Sequence, residues 1–135
     1  MPPSPAEITA RMLERDAFAR WLGIGDVVTG FGESRLLVTV RADMLNGHGT
    51  LHGGVTHAIA GAGFAFAANS HGPKAVAAET SMSYLRPVRA GDVVECHVRE
   101  LSRGRKLGRY EATLTRGGEP VALFRATCYF LEAAW

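Results

Sequence analysis

The segment "HGGVTHAIAGAGFAFAANS", His52 to Ser70, constrains the fold of this chain more than any other stretch. From Val55 to Ala68 it holds no Asp, Glu, Lys or Arg, and Ile59, Phe64 and Phe66 fall among alanines, the pattern of a buried helix. A helix apolar on nearly every side must be covered on more than one side, so the rest of the chain has to wrap it. Gly61 and Gly63 sit mid-helix, each costing about 1 kcal/mol against alanine. Such glycines point either to a backbone packed close by or to room kept for a ligand, and spacing does not separate the two.

The flanking sequence supplies the wrapping. "SPAEI" sets Ser4 as an N-cap, Pro5 at the first helical position and Glu7 three residues after the cap, which predicts a helix running to about Trp21. "GIGDVVTGFGESRLLVTVR" reads as a hairpin around "FGES", with Leu36, Val38 and Val40 alternating against Leu37, Thr39 and Arg41. After the loop "ADMLNGHGTL" and the apolar helix, four further strands are predicted: Ala75 to Leu85, Asp92 to Leu101, Gly108 to Thr115 and Pro120 to Leu131. Their connections, "RPVRAGD", "SRGRK" and "RGGE", suit antiparallel neighbours. The expected architecture is α+β, one domain over residues 1–135, with an antiparallel sheet around a central helix and an N-terminal helix. One small sheet cannot enclose that helix alone, so a homo-oligomer, a dimer or a dimer of dimers, is expected.

A chain of 135 residues that is 47% hydrophobic and 21% charged can bury a core of its own. A net charge of +2, without long Lys/Arg runs or interleaved aromatics, argues against a nucleic-acid partner. The first residues lack the apolar core of a signal peptide, and Val55 to Ala68 is shorter than the roughly 20 residues of a membrane span. The chain therefore reads as soluble and cytoplasmic. Cys96 and Cys128 lie in strand-like runs and read as small buried thiols.

The chemistry concentrates at the start of the apolar helix. "HGGV" exposes amides lacking intrahelical partners, glycines at 53 and 54 allow close approach, and the macrodipole adds roughly half a positive charge, an arrangement suited to a developing oxyanion. The same residues also make a simple loop-to-helix turn. His57 and Gly61, four apart, share a helix face. His57 is either a core histidine or a proton acceptor. His48, His52 and His57 lack the clustered Cys or acid that would complete a metal site, so no metal is expected. "GESRL" and "NSHG" each miss one glycine of the serine-hydrolase elbow, and no phosphate or dinucleotide fingerprint occurs.

"LNGHGTLHGG", "AFAANSHGPKAVA", "YLRPVRAGD", the "GRK" turn and "PVALFRATCYF", in that order, resemble the PaaI-type hotdog-fold thioesterases associated with phenylacetate degradation, over about residues 20 to 131. The resemblance implies hydrolysis of acyl-CoA thioesters such as phenylacetyl-CoA and its hydroxylated relatives, with no metal or cofactor. It also implies tetramers with active sites at dimer interfaces. It implies that the Gly53 amide polarises the thioester carbonyl, with His52 and Asn46 shaping the loop around it. It further implies a carboxylate at the fourth residue after His57, where this chain has Gly61.

Three expectations compete at that position. His57 activates water; Glu79 reaches in from the neighbouring strand; or the site binds an acyl-CoA with little turnover. Glu79 alternates out of phase with Val76, Ala78, Thr80 and Met82, which turns it away from the helix. In "SRGRKLGR", Arg103, Arg105, Lys106 and Arg109 form either a phosphate-binding cluster for coenzyme A or a solvated hairpin.

Overall fold

Ser4 begins the first helix as the sequence predicts, and a computed structural model describes how all residues 1–135 continue from it. Ser4 Oγ accepts from Glu7 N at 3.2 Å and Glu7 Oε1 accepts from Ser4 N at 3.4 Å, a closed capping box. The helix does not run to Trp21. It stops at Arg15 (α1, Pro5–Arg15), and a second helix, α2 (Ala17–Leu22), follows. Asp16 makes the break: extended itself, it ends α1 and then caps α2 by accepting from Ala19 N at 2.9 Å. A short carboxylate that bonds to nearby backbone favours that role over helix interior. Gly23, at φ 68°, terminates α2.

The hairpin forms as β1 (Gly25–Gly30) and β2 (Glu33–Thr39). Leu36, Val38 and Val40 are buried while Leu37, Thr39 and Arg41 are not. A 3-10 turn, Ala42–Met44, and a Leu45–Leu51 bridge lead into α3 (Gly53–Asn69). Four strands follow: β3 (Pro73–Tyr84), β4 (Val93–Arg103), β5 (Leu107–Arg116) and β6 (Glu119–Ala134). They assemble into a six-stranded sheet ordered β1-β2-β4-β5-β6-β3, with every pair antiparallel. The helix carries the chain from β2 across to the far edge, so β3 pairs only with β6.

One face of the sheet curls onto α3. Ile59, Phe64 and Phe66 from the helix meet Leu36, Val98, Tyr110, Leu114 and Phe124 from the strands in a single core cluster. Burying such side chains contributes about 1.5–3 kcal/mol each. Helix α1 also packs against α3. Beyond its first turn, what remains half-exposed is a stripe at helical spacing: His57, Ala58, Gly61, Ala62 and Ala65. At 17 residues α3 is the longest helix, and no helix is long and apolar enough to cross a membrane.

Strand β3 is irregular. Ala77 faces Cys128 on β6 and Glu79 faces Thr127, so Ala78 is an extra residue without its own partner, a β-bulge. Sequence alternation places Val76 and Ala78 on the same side as Thr80 and Met82. The bulge breaks that phase: Val76 pairs with outward-facing Tyr129, whereas Thr80 and Met82 pair with buried Ala126 and Phe124.

Candidate active site

The loop before α3 is held by one side chain. Asn46 Oδ1 accepts from the amides of His48 (2.9 Å) and Thr50 (3.1 Å), while Asn46 Nδ2 donates to Thr50 Oγ1 at 3.1 Å. With the loop closed, His52 N donates to Met44 O at 2.9 Å and His52 becomes the N-cap of α3. Its Nδ1 accepts from Gly54 N at 2.8 Å, so Nδ1 carries the lone pair and Nε2 the proton. The amides of Val55 and Thr56 both bond to His52 O. The Gly53 N–H is therefore the first-turn donor with no partner in the chain, at the positive end of the helix.

Gly53 faces a cavity of about 400 Å³ lined also by Asn46, Thr56, Tyr84 and Arg86. Tyr84 OH donates to Gly53 O at 3.0 Å, and its ring lies 3.3 Å from where a Cβ at 53 would stand. A side chain at 53 would push the Tyr84 ring back by a few tenths of an ångström and loosen this lock.

A second cavity, about 150 Å³, opens between α3 and β3. His57, Gly61, Thr80 and Cys128 line it together with alanines, Phe64 and Val76. His57 Nε2 lies 2.9 Å from Thr80 Oγ1, and the imidazole meets Phe124 edge-on at 5.5 Å. The two glycines of α3 now part company. A Cβ on Gly63 would stand 2.9 Å from Val98 Cγ2 and 3.1 Å from Cys96 Sγ, so Gly63 exists for packing; its carbonyl also takes the Ser34 hydroxyl at 2.7 Å. A Cβ on Gly61 would meet nothing within 4 Å.

Glu79 is not part of this cavity. It stands on the opposite face of the sheet, where Thr127 Oγ1 donates to its Oε1 at 3.4 Å and Ser81, Arg109 and Arg125 lie nearby. The basic turn also divides. Arg105 and Lys106 line a groove with Pro73 and the end of β6; Arg109 belongs to the outer-face hollow beside Glu79; Arg103 is tied to Glu100 at 3.6 Å. Arg109 lies on β5 opposite Thr127, whereas Arg105 and Lys106 lie in the turn before that strand. Moreover, this turn abuts the start of β3, whereas Gly53 abuts its end at Tyr84.

Sequence reasoning did not single out Thr80 as a partner of His57 or Tyr84 as a partner of Gly53. Both contacts span more than twenty residues, and the signal that creates them, the bulge at Ala78, has no local signature. His48, His52 and His57 do not converge, and no group of three or more His, Cys, Asp or Glu side chains gathers anywhere in the fold. Burial raises the Cys96 thiol to about 12, and the Cys128 thiol upward as well, keeping both protonated.

An antiparallel sheet curled around one helix, with a free amide at the helix start, is the hotdog fold, and comparison with known proteins places the chain within it. Residues 48–123 match the thioesterase superfamily. The chain belongs to that superfamily, in its PaaI-type hotdog branch. It is 38% identical over 115 residues to acyl-coenzyme A thioesterase PaaI of Escherichia coli, covering 84% of this chain and 82% of that protein. The solved E. coli PaaI protein, from the phenylacetic acid degradation operon, superposes with a TM-score of 0.93, at 34% identity over 96% of this chain and 95% of that one. The TT0310 protein of Thermus thermophilus gives 0.82 at 42% identity, over 87% of this chain and 99% of that one.

Proposed function

We propose that this protein hydrolyses acyl-CoA thioesters, with an aryl or medium-length acyl group such as phenylacetyl, and that each active site is shared between two copies of the chain. The observation that carries the reading is the separation of its two halves. The unpartnered Gly53 amide and the cavity at His57 and Gly61 share no lining residue. Gly61 lies about 12 Å along the helix from Gly53, too far for one thioester carbonyl to touch both.

A second copy resolves this. Strand β3 is an unpaired edge of twelve residues, with Val76 and Tyr84 exposed. Antiparallel pairing of two such edges sets the end of one β3, beside Gly53, against the start of the other, beside the His57 cavity and the Arg105–Lys106 groove. The half-exposed stripe of α3 lies on the same side and gains its missing cover. The assembly is then a dimer or a dimer of dimers.

In this site the thioester oxygen sits on the Gly53 N–H, in the loop shaped by Asn46 and His52. His57 of the partner subunit takes a proton from water as the water oxygen bonds to the carbonyl carbon. The oxyanion collects on the amide; the C–S bond then breaks, and the proton passes to the departing CoA thiolate. Arg105 and Lys106 hold CoA phosphates. No metal or further cofactor enters these steps. A cytoplasmic location is part of the same proposal.

Gly61 supports a second reading, a protein that binds acyl-CoA and turns it over poorly, because the cavity holds no carboxylate. Steady-state assays with phenylacetyl-CoA and aliphatic CoA esters decide between them. Turnover by the wild type, lost in His57→Ala, supports the hydrolase. Turnover only in Gly61→Asp, whose side chain has open space to enter, supports the binder.

A further inference from the structure

The bulge in β3 decides which side chain of that strand meets His57. Before it, Ala75 and Ala77 pair with Phe130 and Cys128 and so face α3; unbroken alternation would bring Glu79 and Ser81 onto the same face. The extra residue Ala78 turns Glu79 outward and delivers Thr80 instead, with Oγ1 2.9 Å from His57 Nε2. Bulges recur where a strand re-aims a side chain at a site. His57 makes no other hydrogen bond, so its Nδ1 has no partner in the chain. Apart from the buried Cys128 thiol, the cavity contains no other group that exchanges a proton.

We propose that Thr80 is a positioning residue for His57. Its Oγ1 accepts a hydrogen bond from Nε2–H, holds the imidazole in that tautomer and leaves the Nδ1 lone pair to act on water beside Gly61. The inference rests on the reading of His57 as the base. A hydroxyl can pair with either tautomer of a neutral imidazole, and the direction of this one bond decides the role of the other nitrogen: accepting from Nε2–H leaves the lone pair on Nδ1. Thr80 forms no covalent bond: the water proton goes to Nδ1 and the water oxygen to the thioester carbon.

Two variants and one spectrum test this. Thr80→Val keeps the branched shape without the hydroxyl and is expected to lower kcat at least about tenfold. KM for the CoA ester should stay within about twofold, because the hydroxyl contributes nothing to binding. Thr80→Ser restores the hydroxyl and most of the turnover. Nitrogen-15 spectra of the whole protein, with the His57 signals identified by their loss in His57→Gln, should show the Nε2–H tautomer in the wild type and a mixture in Thr80→Val. An Nδ1–H tautomer in the wild type overturns the proposal. So does unchanged kcat in Thr80→Val when His57→Ala is inactive, which leaves the base reading standing. Wild-type turnover in His57→Ala removes the base reading and this inference with it.

Discussion

Gly61 and Gly63 are two residues apart on one helix and have opposite reasons to be glycine. At 63 any side chain strikes Val98 and Cys96, and overpacking of this kind costs about 1–3 kcal/mol. At 61 a methyl group enters open space and gains up to about 1 kcal/mol of helix propensity. Thermal unfolding should therefore show Gly63→Ala lowering Tm by several degrees and Gly61→Ala leaving it unchanged or raised. A second residue-scale expectation concerns the buried thiols. Both native cysteines should resist a thiol reagent that labels them once the chain is unfolded, because burial shields them and keeps them protonated. Tyr110 is raised for the same reason, burial first, with its Glu100 hydrogen bond adding to it. Each group has its folded pKa above its unfolded value. The stability they confer is complete below about pH 9, the unfolded thiol value, and declines above it as the unfolded chain sheds protons first. Urea midpoints should accordingly fall between about pH 8 and about pH 10.5, and less steeply in Cys96→Ala.

Among elements, the N-terminal helices and β3 show where a local pattern is overruled. The amphipathic run from Pro5 to about Trp21 reads as one helix, yet Asp16 supplies a cap strong enough to make two. Replacing Asp16 with Ala removes the bond to Ala19 N and should cost about 1 kcal/mol, visible as a lower denaturant midpoint with unchanged slope. In β3 the alternation that orients Glu79 outward is correct from Thr80 onward and wrong before it, because the extra residue at Ala78 resets the phase. A one-residue shift in a strand exchanges its faces, so that bulge determines whether an acid or a hydroxyl meets His57.

At the scale of the whole molecule, the proposed site requires a second copy. Light scattering at micromolar concentration should give a dimer or larger, and a monomer would end the shared-site reading. Complementation reads the same geometry directly. Gly53→Val, which crowds Tyr84, and His57→Ala each disable a different half of the site; chains mixed and reassembled as two-fold dimers should recover about a quarter of wild-type activity, whereas a site built in one chain recovers none. Reversing charge at Arg105 and Lys106 together should raise KM for CoA esters and leave an N-acetylcysteamine thioester little affected; the same change at Arg109, on the outer face beside Glu79, should do less.

What could be read from the amino-acid order was most of what near neighbours govern, the Asp16 cap excepted. The Ser4 capping box, the buried helix after His52, the hairpin at Phe31–Gly32 and the six strands follow from periodicity and turn chemistry within a few residues. The positions of Gly53 at a helix start and of His57 one turn along, on which the proposed chemistry rests, were legible for the same reason. The tertiary structure alone decided which glycine packs and which opens a cavity, which face Glu79 and Thr80 take, and how the basic turn divides. Those outcomes depend on register between strands and on contacts from Gly63 to Val98 or Gly53 to Tyr84, where residues distant in the chain compete for the same space and no local pattern encodes the result.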